Sequence, residues 1–336
     1  MANLHRGGIN LKKKVLLFAD FGIDDIMAII YAYYEIHVEI VGVVAEYGNV
    51  DKKTAIRNAR YLQRNTGRYD IPLIGGAERS MTGEPPIYYP EVHGPEGFGG
   101  YVLPEDFQAE GDVFENFHQI YDIIEKFAGE LTIVCVGRLT SLATSFILYP
   151  ETVAKVSDIF VMGGAFNFPG NVTPVAEANI YGDPYAANIV VNFAKNLTIF
   201  PLDVTQKAIL TADMVNEIDS LNKEKNSQLG SIIKPMMDYY WQFYKSQIPT
   251  IPGAPLHDVV TLWGVFNEKN IKYEMKPVKV VTSQGSAFGQ TIGDFRDFVQ
   301  LAEYPVHRIA MEFSYTEFIN RVVAVLTVEL NNHQSP

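Results

Sequence analysis

Apolar runs alternate with amphipathic segments along most of the chain. Five short, nearly continuous apolar runs predict strands that are buried on both faces, at residues 14–19, 38–45, 131–136, 158–162 and 197–204. Four segments carry apolar side chains at helical spacing and predict helices, at residues 25–36, 53–66, 139–148 and 184–194. The alternation predicts an α/β fold with an open, mainly parallel, twisted sheet and helices on both faces.

The organisation of the chain favours a single domain over residues 1–336, in which residues 1–13 form an N-terminal extension. Two stretches rich in Gly and Pro, residues 82–104 and 246–255, are too short to link large domains. We interpret them as long loops beside a site. A strand over residues 272–281 and a helix over residues 315–326 are expected to extend the sheet.

Composition narrows the class of function. The net charge of −12 and a pI of about 5.1 leave no basic face for a nucleic-acid partner. No apolar segment reaches the length of a membrane span, and residues 1–10 are too polar for a secretion signal. The single cysteine, Cys135, lies in an apolar run and is expected in the core. We therefore expect a cytoplasmic protein that binds neither nucleic acid nor membrane.

Three carboxylates follow the first predicted strand within six residues: Asp20, Asp24 and Asp25. Helix capping accounts for Asp24 or Asp25, because Asp is favoured at an N-cap and in the first turn. It does not account for Asp20, which precedes the Phe21-Gly22 turn. Three carboxylates this close repel one another unless protons or a cation compensate, and oxygen ligands favour Ca²⁺ or Mg²⁺.

Polar residues also follow other predicted strands, where open parallel sheets bind ligands. Each has a structural alternative. Gly48-Asn49 would also suit a simple turn, Thr140 an N-cap, His257-Asp258 a cap pair, and His93 an ordinary loop position. Their joint occurrence at strand ends favours one site.

These motifs together resemble the nucleoside hydrolase family of the inosine-uridine type. The family opens with Asp-x-Asp-Pro-Gly-x-Asp-Asp, and residues 18–25 here read FADFGIDD. Further matches follow in the same order: Gly48-Asn49, RNA at 57–59, HGPEGFGG from His93, GRLTSLA from Gly137, VMGGAF, GNVTPVAEANIYGDPYAA, PLDVT and PLHD. The resemblance extends from about residue 14 to the C-terminal helix.

The resemblance implies one bound Ca²⁺ and a homodimer or homotetramer. The metal ligands would be Asp20, Asp25, Asp258 and the backbone carbonyl of Thr140. Five side chains would bind the ribose hydroxyls: Asp24, Asn49, Asn171, Glu177 and Asn179. Met162 would line the sugar pocket, and His93 would lie near the base. His257 would protonate the leaving base.

The implied reaction is hydrolysis of the N-glycosidic bond of a small-molecule ribonucleoside to free base and ribose. Such cleavage builds oxocarbenium character on the sugar, and a carboxylate beside the attacking water can accept its proton. Asp20 is the candidate for that role. Purine and pyrimidine bases both remain candidates. Four aromatic residues would stack a base or belong to the core or an interface: Tyr239, Tyr240, Trp241 and Tyr244.

Several residues depart from the family pattern. Phe18 replaces an aspartate and Phe21 a proline, so the metal site would be weakened or reshaped. Ala178 replaces an aromatic residue, which predicts a larger pocket or a different substrate. Arg138 would recognise an anionic ligand or, as we favour, face solvent.

The sequence gives less support to two other functions. A binder that kept the ribose site without catalysis would explain Phe18, but it would not need Asp20. Metal-dependent phosphoryl transfer also uses a carboxylate after a first strand, yet the chain has no glycine-rich phosphate loop with a lysine.

Overall fold

The computed structural model describes residues 12–107, 115–296 and 303–329. The predicted N-terminal extension therefore lies almost entirely outside the described residues, and the prediction of a single domain stays a prediction. The strands are β1 Lys13–Ala19, β2 Val38–Ala45, β3 Leu73–Gly75, β4 Leu131–Cys135, β5 Asp158–Met162, β6 Leu197–Phe200, β7 Ile209–Thr211, β8 Gly253–Pro255, β9 Ile271–Val280, β10 Thr291–Gly293 and β11 Val306–Phe313.

Helices separate most of these strands. They are α1 Ile23–Tyr34, α2 Lys52–Thr66, α3 Pro90–His93, α4 Gln119–Lys126, α5 Thr140–Leu148, α6 Pro150–Val153, α7 Ala178–Gly182, α8 Pro184–Phe193, α9 Leu202–Thr205, α10 Ala212–Glu224, α11 Gly230–Gln247, α12 His257–Gly264 and α13 Tyr315–Ala324. A 3₁₀ turn precedes β9 and a π-helical turn follows α13. In the described part of the chain, no helix is long and apolar enough to cross a bilayer.

The main sheet has nine strands in the order β10-β9-β11-β6-β5-β4-β1-β2-β3. Pairing is parallel from β3 through to β11 and antiparallel only where β9 meets β11 and β10. The α/β prediction is confirmed, including the late addition at the sheet edge. The chain runs outward from β1 to β3 and then returns to β4 on the other side of β1. The carboxyl ends of β1 and β4 therefore flank the topological switch point, where such sheets bind ligands.

The core consists of two apolar layers, one on each face of the sheet. In β1, Val15, Leu17 and Ala19 point into one layer and Leu16 and Phe18 into the other. Helices α1, α2 and α10 to α13 cover the first layer, and α4, α5 and α8 cover the second. Burial on both faces explains why the strands appear in the sequence as continuous apolar runs.

One predicted strand is too long. β6 ends at Phe200, and the following residues form the short helix α9 instead of continuing to residue 204. Pro201 has no amide hydrogen to continue the ladder, and its carbonyl accepts the first hydrogen bonds of α9, from Val204 and Thr205. The other predicted strands and helices are confirmed to within about two residues, apart from the last helix, which ends in the π-helical turn.

Candidate active site

A tight turn at the end of β1 brings the three aspartates together. Asp20 directly follows the buried strand, and Phe21 adopts a φ of 56°, a conformation that costs a non-glycine residue energy. Helix α1 begins at Ile23, so Asp24 and Asp25 lie in its first turn. The Asp25 carboxylate accepts hydrogen bonds from the backbone amides of Gly22 at 2.9 Å and Asp20 at 3.0 Å. The capping interpretation thus holds for Asp25, which closes the turn around Asp20.

Asn49, after β2, joins two of these carboxylates. Its backbone amide and its side-chain amide each donate to Asp20 at 2.9 Å, and the side-chain amide also lies 3.0 Å from an oxygen of Asp25. The preceding glycine makes this approach feasible, because a Cβ on Gly48 would lie 1.7 Å from Asp20 Oδ2. On the β4 side, a Cβ on Gly137 would lie 3.0 Å from the Asp20 Cβ. Asp20 is therefore enclosed between two glycine-containing turns.

The acidic cluster is suited to a cation. Single ligand atoms of Asp24, Asp25 and Asp258 lie within 4.8 Å of one another, with Asp20 hydrogen-bonded beside Asp25. Asp24 Oδ1 is buried and has no hydrogen-bond partner among the described residues. Burial raises the pKa of Asp24, and burial together with the neighbouring carboxylates raises the pKa of Asp25 and Asp258 well above the ordinary value. Burial also raises the pKa of Asp20 to about 7. A bound cation would relieve this unfavourable charge.

A cavity of about 470 Å³ opens above the cluster. Nine of the residues that the resemblance assigns to the site line it: Asp24, Asn49, His93, Met162, Asn171, Glu177, Asn179, His257 and Asp258. Asp20 and Asp25 lie behind Asn49 and Asp24 and do not line it. The two stretches predicted to flank a site also contribute, through Tyr89, Glu91 and Val92 from the first and Gln247 and Ile248 from the second.

Glu177 and Asn179 form the polar wall beside β4 and β5. Glu177 caps α7 and accepts from the backbone amides of Gly164 at 2.9 Å and Asn179 at 2.9 Å. Burial nevertheless raises the pKa of Glu177 to about 7. The Asn179 side-chain amide donates to the Val136 carbonyl at 2.7 Å, beside the Met162 sulfur at 3.3 Å. These bonds hold the Asn179 side chain at the cavity wall.

His93 is held as a neutral imidazole. Its Nδ1 accepts from the Ile23 amide at 3.1 Å, which leaves the proton on Nε2. Burial lowers the His93 pKa to about 3, so its 3.7 Å approach to Asp24 Oδ1 is not an ion pair at neutral pH. Its ring lies against Tyr240, with centroids 5.6 Å apart.

His257 belongs to a chain of hydrogen-bonded polar groups beside the cavity. Its Nδ1 is 2.8 Å from Thr205 Oγ1, and its Nε2 is 2.8 Å from the Tyr244 hydroxyl. Tyr240, one turn earlier on α11, donates to Asp24 at 3.2 Å. Burial lowers the pKa of His257 to about 4. A neutral imidazole between two hydroxyls can donate through one nitrogen and accept through the other.

Comparison with known proteins identifies this arrangement. A family model described as "Inosine-uridine preferring nucleoside hydrolase" matches residues 15–320. The chain belongs to that family. It is 34% identical to uridine nucleosidase 1 of Arabidopsis thaliana over 283 residues, covering 84% of this chain and 82% of the relative. It is 27% identical to the inosine-uridine preferring nucleoside hydrolase of Crithidia fasciculata over 317 residues, covering 94% and 98%.

Solved structures agree. A plant nucleoside hydrolase superposes with a TM-score of 0.84 at 29% identity, covering 94% of this chain and 99% of its own. A purine-preferring ribonucleoside hydrolase from Gardnerella vaginalis gives 0.84 at 26% identity, covering 95% and 100%. As a nucleoside hydrolase, the protein is an N-glycosyl hydrolase whose substrates are ribonucleosides.

Within this nucleoside hydrolase, Thr140 does not line the cavity. It begins α5, and its carbonyl accepts a hydrogen bond from the Thr144 hydroxyl at 2.8 Å. Its own hydroxyl bonds Asp183 at 2.7 Å. Val136, four residues earlier and directly after β4, does line the cavity, and its carbonyl accepts from Asn179. In the sequence, the end of the apolar run over residues 131–136 was the signal that could have indicated Val136.

The departures from the family pattern have definite positions. Phe18 is fully buried in the second apolar layer. Ala178 lines the cavity between Glu177 and Asn179. The prediction that Arg138 faces solvent is wrong: its side chain is buried and donates to two backbone carbonyls, because it lies beneath the turn that carries Asn49. Tyr240 and Tyr244 line the cavity, whereas Trp241 donates to the Ile251 carbonyl.

Proposed function

We propose that this nucleoside hydrolase is Ca²⁺-dependent and that its cavity holds a whole ribonucleoside, with the ribose over the acidic cluster and the base beside His257. The observation that carries this proposal is the combination of groups around the cavity. Four buried carboxylates lie at or below it, and neutral imidazoles and tyrosines line it beside them. The first set suits a cation and hydroxyl groups, and the second suits a heterocyclic base.

The residues that would hold the cation are Asp20, Asp25, Asp258 and the Val136 carbonyl, which replaces the carbonyl of Thr140 in our prediction. All-oxygen coordination suits Ca²⁺. When bound, the ion would supply positive charge for the ribose diol and lower the pKa of a neighbouring water. Asp24 is also close enough to take part. Because it lines the cavity and its Oδ1 has no partner, we assign it to a substrate hydroxyl instead.

The ribose would be recognised by Asp24, Asn49, Asn171, Glu177 and Asn179, with Met162 against its apolar face. Asn49 and Asn179 are already fixed by hydrogen bonds to Asp20 and Val136, so little side-chain entropy is lost on binding. Buried polar groups that match hydroxyls discriminate against analogues that lack them, because the groups are then left unpaired.

Asp20 is the proposed general base. Burial raises the pKa of Asp20 to about 7 in the metal-free protein, and a bound cation would lower it and keep the carboxylate ionised to accept a proton. His257 is the proposed proton donor to the leaving base, its Nε2 lying 2.8 Å from the Tyr244 hydroxyl. Because burial raises the pKa of Tyr244, the proton that His257 gives up would be replaced from solvent water and not by forming a tyrosinate. His93 presents its Nε2 proton to the base and packs on Tyr240. A homodimer or homotetramer and a cytoplasmic location stay predictions.

The test compares ribonucleosides with their 2′-deoxy counterparts. Purified protein with Ca²⁺ is incubated with uridine, cytidine, inosine, guanosine and adenosine and with each deoxy analogue, and free base is measured by chromatography. We expect release from at least one ribonucleoside and a kcat/KM lower by about 10³-fold or more for its deoxy analogue. Equal turnover of both forms would contradict the proposed ribose site. No release from any of the ten would favour the binding-only alternative.

A further inference from the structure

Arg138 is a buried cation beside the site with no role in the proposed chemistry. Only 4% of its surface is exposed. Its Nη2 donates to the Gly48 carbonyl at 3.1 Å and to the Ile87 carbonyl at 2.5 Å. Its guanidinium lies over the Tyr47 ring, 4.8 Å from the centroid. One side chain therefore connects two segments that are 39 residues apart in sequence.

The first segment is the asparagine turn, residues 46–50. Gly48 already lies so close to Asp20 that a side-chain carbon there would overlap its carboxylate. Asn49 follows directly and bonds Asp20 and Asp25. Any movement of the Gly48 carbonyl therefore moves a group that contacts two of the carboxylates.

The second segment is the cavity strap, residues 77–93. Hydrogen bonds from its amides to Ser141 and Asp183 anchor its first part, at Ala77 and Met81. Ile87 is 60% exposed, so its side chain provides little packing. The bond from Arg138 holds the main chain at that point, two residues before Tyr89, which lines the cavity.

Helix α7 leaves room for the arginine. A Cβ on Gly182 would lie 2.4 Å from Arg138 Nε. Gly182 does not have a positive φ, so an alanine there would displace the guanidinium without straining the backbone. The glycine and the arginine form a matched pair on the side of the turn away from the cavity.

We propose that Arg138 is a positioning residue that ties the asparagine turn to the cavity strap and so sets the distance between Asn49 and Tyr89 across the bound nucleoside. The inference rests on the proposed function, because it assigns Arg138 to substrate binding in the same cavity. A planar guanidinium can bond two carbonyls from one fixed position, which an ammonium group does less well. The guanidinium acts through Asn49 and the strap and does not touch substrate.

The test compares Arg138→Met and Arg138→Lys with a matched control, Arg308→Met. Arg308 is partly buried, bonds the Thr198 hydroxyl at 2.8 Å and, like Arg138, lies over an aromatic ring, but it does not line the cavity. Steady-state kinetics are measured on the best ribonucleoside, and amide hydrogen exchange is followed in peptides covering residues 82–90.

We expect Arg138→Met to raise KM by about tenfold or more, because contacts made equally in ground and transition state are lost, and to lower kcat by a smaller factor, because Asn49 also bonds Asp20. Arg138→Lys should recover part of the KM, and exchange in the strap should be faster in both variants. Arg308→Met should change neither. If Arg138→Met does not fold, Gly182→Ala should give the same pattern at smaller amplitude.

Three results would overturn the inference: an unchanged KM, unchanged exchange in the strap, or a loss of kcat alone that Arg308→Met reproduces. The last would mean that Arg138 serves only general stability, since a smaller folded fraction lowers apparent kcat and leaves KM unchanged. If the unmodified protein releases no base from any nucleoside, the proposed function fails. The exchange comparison still decides whether Arg138 holds the strap.

Discussion

The close approach of Gly48 to Asp20 predicts the effect of adding a single methyl group at Gly48. A Cβ on Gly48 would lie 1.7 Å from Asp20 Oδ2, whereas ordinary contacts begin near 3.4 Å. In a Gly48→Ala variant the carboxylate and the turn must therefore separate by a further ~1.7 Å. Gly48 does not have a positive φ, so the cost is steric and not one of backbone conformation.

We expect this variant to remain folded and to lose catalysis. Overpacking in a rigid interior costs about 1–3 kcal/mol of unfolding free energy. A misplacement of about 1 Å in a catalytic group can cost about 10²-fold, so kcat/KM should fall by about that factor or more. Asn49 would lose its paired bonds to Asp20, and Ca²⁺ binding should weaken with it.

Thermal unfolding and nucleoside turnover are measured on the same preparations, with Gly42→Ala as the control. A Cβ on Gly42 would lie 2.7 Å from the Ile123 Cδ1, so it is also overpacked, but it lies in the core and not at the site. That variant should lose stability and keep its kcat/KM per folded molecule. Wild-type turnover in Gly48→Ala, or equal losses of kcat/KM in both variants, would mean that the close approach of Gly48 to Asp20 does not position the catalytic carboxylate.

Three further predictions follow from burial and charge. Asp258→Asn should weaken Ca²⁺ binding, measured by calorimetry, by about 10²-fold or more while the fold survives, because one buried anionic ligand is removed. An unchanged affinity would exclude Asp258 as a ligand. Without metal, the folded-state pKa values of about 7 for Asp20 and Glu177 exceed those of unfolded carboxyls near 4. Their contribution to stability is complete below pH ~4 and is lost as pH rises through ~7. The Tm in EDTA should therefore fall between pH 5 and 8, and excess Ca²⁺ should oppose the fall. A Tm that does not change with pH would contradict the raised pKa values. Glu35→Gln should lower the unfolding free energy by about 2–4 kcal/mol with unchanged kcat, because the buried carboxylate accepts from Arg321 at 2.7 and 2.8 Å; a chemical denaturation midpoint equal to that of the parent would count against it.

The sequence was sufficient for the fold because burial on both faces of the sheet leaves an unambiguous pattern. The run VEIVGVVA appears as a strand with the predicted bounds, residues 38–45. At residues 197–204 the apolar run continued past the end of the strand, and only Pro201 marked where β6 stops. A buried helix turn and a buried strand carry the same apolar composition over so short a length.

Part of the candidate site could be predicted from the sequence for a related reason. Carboxylates and amides after strands converge because the carboxyl ends of parallel strands share one edge. Backbone groups carry no such signal, so the sequence does not distinguish the carbonyl of Thr140 from that of Val136, which lines the cavity. The burial of Arg138 could not be predicted, because its two carbonyl partners, at Gly48 and Ile87, are distant in sequence. Contacts of that kind depend on how the loops fold over the sheet.

A single titration can show whether turnover depends on one Ca²⁺ bound by the buried aspartates. Protein is stripped with EDTA and transferred to metal-free buffer at a concentration far above Kd. Ca²⁺ is then added in steps from well below to above one equivalent, and the rate of base release is recorded at each step. We expect a rate that starts near zero, rises linearly and reaches a plateau at one Ca²⁺ per chain. Full activity in the stripped protein before any Ca²⁺ is added would contradict it.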